Sequence, residues 1–159
     1  MKGMSVSGTS GVYAREFDEI GRTVQVGFAG GRVISVSFPA EPPGDAEDDH
    51  DLLDRIGAYV GGERDEFPEV ALGLTVPTDQ RAVLESLRSV PYGEEVSVSR
   101  LARLSGFDPN DADDVATVRD ALADNPIPLL LPDHRVSGGP YATPGDVRRA
   151  LRRVEGIER

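Results

Sequence analysis

Residues 124–136, DNPIPLLLPDHRV, place a carboxylate directly before a His-Arg pair at the end of an apolar run. Asn125-Pro126 stops whatever helix precedes it, since the residue before a proline is pushed out of the helical region. Upstream, Val115, Val118 and Leu122 recur at helical spacing, so a helix with these three on its buried stripe runs into that stop. A polar connector, FDPNDADD, separates it from a shorter helix that Ser97 can cap, with Val98, Leu101 and Ala102 inward and Gly106 at its end. These two helices form a candidate helix-turn-helix whose connector is longer than the usual few-residue turn. Before them, TDQRAVLESLRSV sets Val83, Leu84 and Leu87 inward with Thr78 as N-cap, and PYGEE turns the chain.

Downstream of the opening stretch, Thr143 and Asp146 match a capping box with Pro144 at the first helical position. Val147, Ala150, Leu151 and Val154 then form the stripe of a last helix before Gly156. Arg148, Arg149, Arg152 and Arg153 flank that stripe as a basic face, a pattern that is a solvated surface more often than a nucleic-acid contact. Glu155, four residues after Leu151, leans toward the packed side, either at its rim or as the partner of something buried. Near the start, TVQVGFAGGRVISVSF alternates Val24, Val26 and Phe28, then Ile34, Val36 and Phe38, about Gly30-Gly31. This predicts a β-hairpin with one buried face. The acidic, proline-rich PAEPPGDAEDDHD reads as a loop in which His50 is solvated rather than a ligand. DLLDRIGAYVGG then gives a short helix burying Leu52, Leu53, Ile56 and Val60 and ending at Gly61-Gly62.

The chain of 159 residues has no cysteine, which excludes disulfides, thiolate metal sites and any sulfur nucleophile. Its start, MKGMSVSGTSGVYAREF, has one lysine and no apolar core of signal-peptide length, and no later run reaches membrane-spanning length. A soluble, cytoplasmic protein without membrane contact is expected. Two histidines far apart and an EDDHD run without ligand spacing point to no metal, and nothing points to a cofactor. Lys2 is the only lysine against sixteen arginines, and the net charge is −11. That composition favours a proteome adapted to high salt over an ordinary acidic protein, because surface carboxylates stay solvated while mobile ions screen their repulsion. Residues 1–85 carry a net −9 and residues 86–159 a net −2, so the second half is where an anionic partner is expected.

Taken together, VPYGEEVSVSRLARLSG, DNPIPLLLPDHRV, GGPY and LRRVEG occur in an order and near-spacing that resembles the alkylguanine-DNA alkyltransferase family, the methylated-DNA-protein-cysteine methyltransferases. That family is similar in having a proline-tyrosine-glycine turn, a helix-turn-helix, an asparagine-proline hinge, a Pro-Cys-His-Arg-Val loop and a final helix ending Glu-Gly. The resemblance implies an α/β plus α fold, with a ribonuclease H-like sheet domain over 1–76 and a winged helix-turn-helix DNA-binding domain over 77–159. In the family, the loop cysteine takes the alkyl group from a flipped O-6-alkylguanine, activated through a histidine that a glutamate orients. Carried over by resemblance, the histidine is His134, the glutamate Glu155, the hinge asparagine Asn125, the following arginine Arg135 and the base-pocket tyrosine Tyr141. Asp133 stands at the cysteine position. The family's flipping tyrosine falls on Val98 and its arginine finger on Ala116; Arg119, one turn later, is a substitute among Asp113, Asp114 and Asp120.

Three readings follow. A non-catalytic member, like the family's alkyltransferase-like branch, would bind alkylated guanine in DNA as a damage sensor and pass it to a DNA-repair protein. An enzyme would use Asp133 as a carboxylate nucleophile, with His134 activating water to release the ester. A degenerate member would serve as an interaction scaffold without DNA, with Asp133 capping a turn and His134 and Glu155 tying the loop to the last helix. The sequence leaves oligomeric state unread.

Overall fold

The computed structural model describes residues 10–157, so the Lys2-bearing start lies outside the described residues. Strands β1 (Gly11–Phe17), β2 (Arg22–Ala29) and β3 (Arg32–Ser37) form an antiparallel sheet in that order. Ala29 pairs with Arg32 across Gly30 and Gly31, whose φ of 59° and 81° are what a two-residue hairpin turn of the primed type requires. Val24, Val26 and Phe28 are buried, but beyond the turn the phase differs from the simple alternation. Phe28 pairs with Val33 and Gly27 with Ser35, so Ile34 is the extra residue of a bulge. Val33, Val36 and Phe38 therefore face the core, while Ile34 is 42% exposed. The expected inward Ile34 is corrected by that one inserted residue. β1 carried no period-two signal because only Ala14 and Phe17 of its seven residues are buried.

Helix α1 (Asp51–Val60) lays Leu52, Leu53, Ile56, Tyr59 and Val60 into the core. His50 is its N-cap: Nδ1 accepts the Leu52 amide at 3.0 Å, and the ring stacks on Phe28 at 4.5 Å. The solvated histidine of the sequence reading is thus a half-buried cap.

Helices α2 (Thr78–Arg88), α3 (Val98–Leu104) and α4 (Ala112–Ala123) pack on one another, burying Val83, Leu84, Leu87, Leu101, Ala102, Val118 and Leu122. Ser97 caps α3 by accepting the Arg100 amide at 3.1 Å, as its position implied. Thr78 does not cap α2: Pro77 holds the N-cap position without a side-chain bond, and Thr78 is already helical. The acids of the connector are turn formers, Asp108 accepting Asn110 N and Asp111 capping α4 through Asp113 N, each at 2.8 Å. Short strands β4 (Val96–Ser97) and β5 (Val136–Ser137) pair in parallel and bring the start of α3 beside the loop that follows Arg135. Helix α5 (Gly145–Glu155) closes the fold. The sheet layer is joined to this helical part by Val36 N–H to Pro126 O at 3.0 Å and by the Arg22–Asp146 ion pair at 3.1 Å.

Candidate functional site

The apolar run of residues 127–131 is buried throughout, and Leu129 takes a φ of +79° within it. A left-handed leucine costs on the order of 1–3 kcal/mol, a strain accepted here where the chain reverses toward Asp133. Asp133, His134 and Arg135 then form a single 3₁₀ turn, and all three are buried.

Each side chain of the triplet is held by a different set of groups. The Asp133 carboxylate is a convergence point for donors. Its Oδ1 accepts the Thr143 hydroxyl at 2.6 Å, and its Oδ2 accepts Ala142 N at 2.9 Å, Thr143 N at 3.3 Å and Asn125 Nδ2 at 3.3 Å. Burial pushes its pKa up, and the Thr143 hydroxyl, nearby His134 and the two amides only partly oppose that rise. Asn125 is fixed in turn, giving Nδ2 to Leu131 O at 2.9 Å and accepting Ile127 N at 3.0 Å. It lies one residue beyond the Asp124 C-cap of α4 and fastens both ends of the apolar run.

Five donors surround the Glu155 carboxylate at the C-terminal end of α5. Arg135 Nε and Gly93 N reach Oε1 at 2.8 and 3.0 Å. Arg135 Nη2 reaches Oε2 at 2.9 Å, His134 Nε2 reaches it at 2.8 Å, and the Tyr59 hydroxyl donates to the same oxygen. Burial alone would raise the Glu155 pKa, but the bonds from His134 and Arg135 overcome it and hold the carboxyl well below the usual range. Tyr59, buried beside that charge, is pushed well above the ordinary tyrosine value and stays an O–H donor. His134 Nδ1 is buried and has no hydrogen-bond partner among the described residues.

The structure brings Asp133, His134, Glu155, Asn125 and Arg135 into one cluster. Arg135 is 4% exposed, its fork spent on Glu155 and on Val90 O at 2.7 Å, with its guanidinium 5.7 Å from the Tyr92 ring centre. Tyr141, on the loop between β5 and α5, and Arg119, on α4, lie outside the cluster. The Tyr141 ring is half-buried under the Arg148 guanidinium at 4.0 Å, and its hydroxyl accepts Gly139 N at 2.9 Å and Arg148 Nη2 at 3.0 Å. Arg119 is exposed and reaches Gly138 O at 3.4 Å. Of the four arginines on α5, Arg149 and Arg153 are exposed, whereas Arg152 turns inward to His134 O at 2.8 Å and pairs with Glu95.

The capping box at α5 is corrected. Thr143 gives its hydroxyl to Asp133, Pro144 holds the N-cap position with no side-chain bond, and Asp146 pairs with Arg22. Asp133 is likewise no local turn cap, since its partners lie eight to ten residues away. Sequence reasoning missed Tyr59, Thr143 and Gly93 as site residues. The Pro91-Tyr92-Gly93 turn was the one available signal: Gly93 takes φ +79°, which aims its amide at Glu155.

Comparison with known proteins places the chain in a family. Residues 78–156 match the family model described as 6-O-methylguanine DNA methyltransferase, DNA binding domain. The methylated-DNA–protein-cysteine methyltransferase of Metallosphaera sedula is 30% identical over 109 residues, 66% of each chain. A DNA base-flipping protein of Thermus thermophilus is 37% identical over 86 residues, 54% of each chain. The aligned stretches thus span about half to two thirds of these curated relatives. Among solved structures, Mycobacterium tuberculosis OGT in complex with DNA superposes with a TM-score of 0.71 at 25% identity, covering 92% of both chains. The mixed α/β architecture, the order of the motifs and the relatives all converge, and the chain belongs to the alkylguanine-DNA alkyltransferase family.

Proposed function

We propose that this protein is a non-catalytic member of the family that binds alkylated guanine in DNA as a damage sensor. One observation carries the reading: the residue at the acceptor position, Asp133, is a buried carboxylate already engaged by four donors. A carboxylate is a weak nucleophile beside a thiolate, and one whose lone pairs are tied down within the fold is weaker still. Around it the hinge Asn125 and the His134–Glu155 pair are kept in hydrogen-bonded order, which supports retention of a shaped site without its chemistry. DNA as the ligand is supported by the family model over residues 78–156 and by likeness to a relative solved on DNA.

On this reading residues 1–76 are a ribonuclease H-like domain, here the three-stranded sheet with α1. Residues 77–159 are a winged helix-turn-helix domain, with α3 and α4 as its helix pair and Arg119, beside the Tyr141 loop, as a cation at the DNA-facing side. A DNA ligand implies work in the cytoplasm, and among the described residues no helix is long and apolar enough to cross a membrane. A sensor that does not repair requires a repair protein to receive the lesion.

The scaffold reading is favoured by a different set of residues. Val98 and Ala116 replace the family's tyrosine and arginine, Tyr141 is covered by Arg148, and exposed Asp113 and Asp120 lie on α4. The chemical half of the proposal is tested by incubating the protein with a duplex carrying O-6-methylguanine and weighing both products. An unmodified protein and an undiminished lesion are expected; a methyl ester on Asp133, or loss of the lesion, would show the nucleophile reading to be right.

A further inference from the structure

We infer that Tyr59, carried on α1 in the sheet layer, is a positioning residue that holds the Glu155 carboxylate in the place from which it fixes the tautomer of His134. The inference rests on the reading that this cluster is the functional site. Tyr59 is 1% exposed and stands 75 residues from His134 and 96 from Glu155 in the chain. Its hydroxyl donates to Glu155 Oε2 and lies 3.3 Å from His134 Nε2, closing a triangle of three side chains from three elements.

The consequence for the imidazole follows from donor and acceptor counts. Glu155 is ionised and accepts only, so the nitrogen 2.8 Å from it, Nε2, carries the proton. The opposite tautomer would leave a buried Nδ1–H with no acceptor and set a bare Nε2 lone pair against a carboxylate, two unfavourable contacts at once. The Arg135 fork orients the plane of Glu155 through two parallel bonds. The Tyr59 hydroxyl donates to Oε2 from beside Nε2 and so holds that oxygen where the imidazole meets it. Nδ1 is thereby left as the imidazole nitrogen with a free lone pair. Tyr59 is itself held edge-on by Phe67 at 5.7 Å and Tyr92 at 6.0 Å, contacts that a phenylalanine keeps. The sheet layer therefore supplies a component of the site, and the site's geometry depends on how α1 is seated.

The test is Tyr59→Phe in the full chain labelled with ¹⁵N-histidine, read by long-range proton–nitrogen correlation of the imidazole. The native protein is expected to show a single Nε2–H tautomer for His134 with a slowly exchanging proton. Tyr59→Phe is expected to keep the circular dichroism of the native fold and the Nε2–H tautomer, whose alternative still has no acceptor at Nδ1, while the Nε2 proton exchanges faster by on the order of tenfold, consistent with loss of one hydrogen bond. Should Tyr59→Phe fail to fold, the native chain gives the second reading: a slowly exchanging Tyr59 hydroxyl proton, shifted downfield by its bond to Glu155, is expected, and a freely exchanging one would overturn the inference. An Nε2 proton exchange rate in Tyr59→Phe identical to the native one would also overturn it. Lesion binding by the native chain is measured in parallel: its absence removes the sensor reading, while the imidazole spectra still decide the role of Tyr59.

Discussion

Asp133 is an anchor of the site. Its carboxylate joins the hinge at Asn125 to the two amides that precede α5, so removing it strands several donors at once. Asp133→Ala takes the acceptor from the Thr143 hydroxyl and from the Ala142 and Thr143 amides, while Asn125 Nδ2 keeps Leu131 O, and is expected to cost about 3 kcal/mol or more in urea unfolding. Asp133→Asn is expected to cost about 1 kcal/mol, because its oxygen still serves the amides and the Thr143 hydroxyl can rotate to accept its NH₂. Equal effects of the two substitutions would contradict the donor cradle. Glu155 gives a pH signature. Its folded pKa lies below the ordinary 4.5, so its contribution is fully present above that pH and is lost as pH falls through the window beneath it. Unfolding free energies measured between about pH 3 and 6 are expected to fall less steeply for Glu155→Gln than for the native protein; parallel curves would contradict the assignment.

At the scale of elements, the bulge in the hairpin decides which side chains form the core. Ile34→Ser is expected to leave stability within about 0.5 kcal/mol, as for an ordinary surface change. Val33→Ser, at a position 1% exposed, is expected to cost about 2 kcal/mol or more, and the reverse ranking in thermal unfolding would place the bulge elsewhere. The hairpin itself was legible because Gly-Gly sits between two alternating runs. The bulge was not, since one inserted residue leaves no mark on composition. Helix stripes and the Ser97 cap were equally readable, being local patterns. The caps expected of Thr78 and Thr143 failed where local chemistry lost to its surroundings: Pro77 preceded one helix, and a buried carboxylate drew the other hydroxyl away. His134, Glu155 and Asn125 could be gathered by resemblance to a family. Tyr59 could not, because nothing in AYVGGERDEF signals a hydroxyl meeting a glutamate 96 residues later.

Over the whole molecule, 28 carboxylates oppose 17 basic residues, and the acids of α4 and its connector act as caps and turns as well as charge. Net self-repulsion of this size is relieved when salt shortens the screening length from about 10 Å at 0.1 M to about 3 Å at 1 M. The melting temperature is expected to rise by several degrees between dilute and molar potassium chloride, whereas a flat or falling profile would argue for an ordinary acidic protein. Salt also bears on function, because an acidic protein meets DNA most readily where its charge is screened, although screening weakens the phosphate contacts themselves. The most direct measurement is therefore equilibrium binding of the full chain to matched duplexes with and without one O-6-methylguanine, at low and at molar potassium chloride. Preference for the lesion duplex that falls on substitution of His134 or Arg135 is expected. No binding to either duplex at any salt would contradict the sensor reading and leave the scaffold.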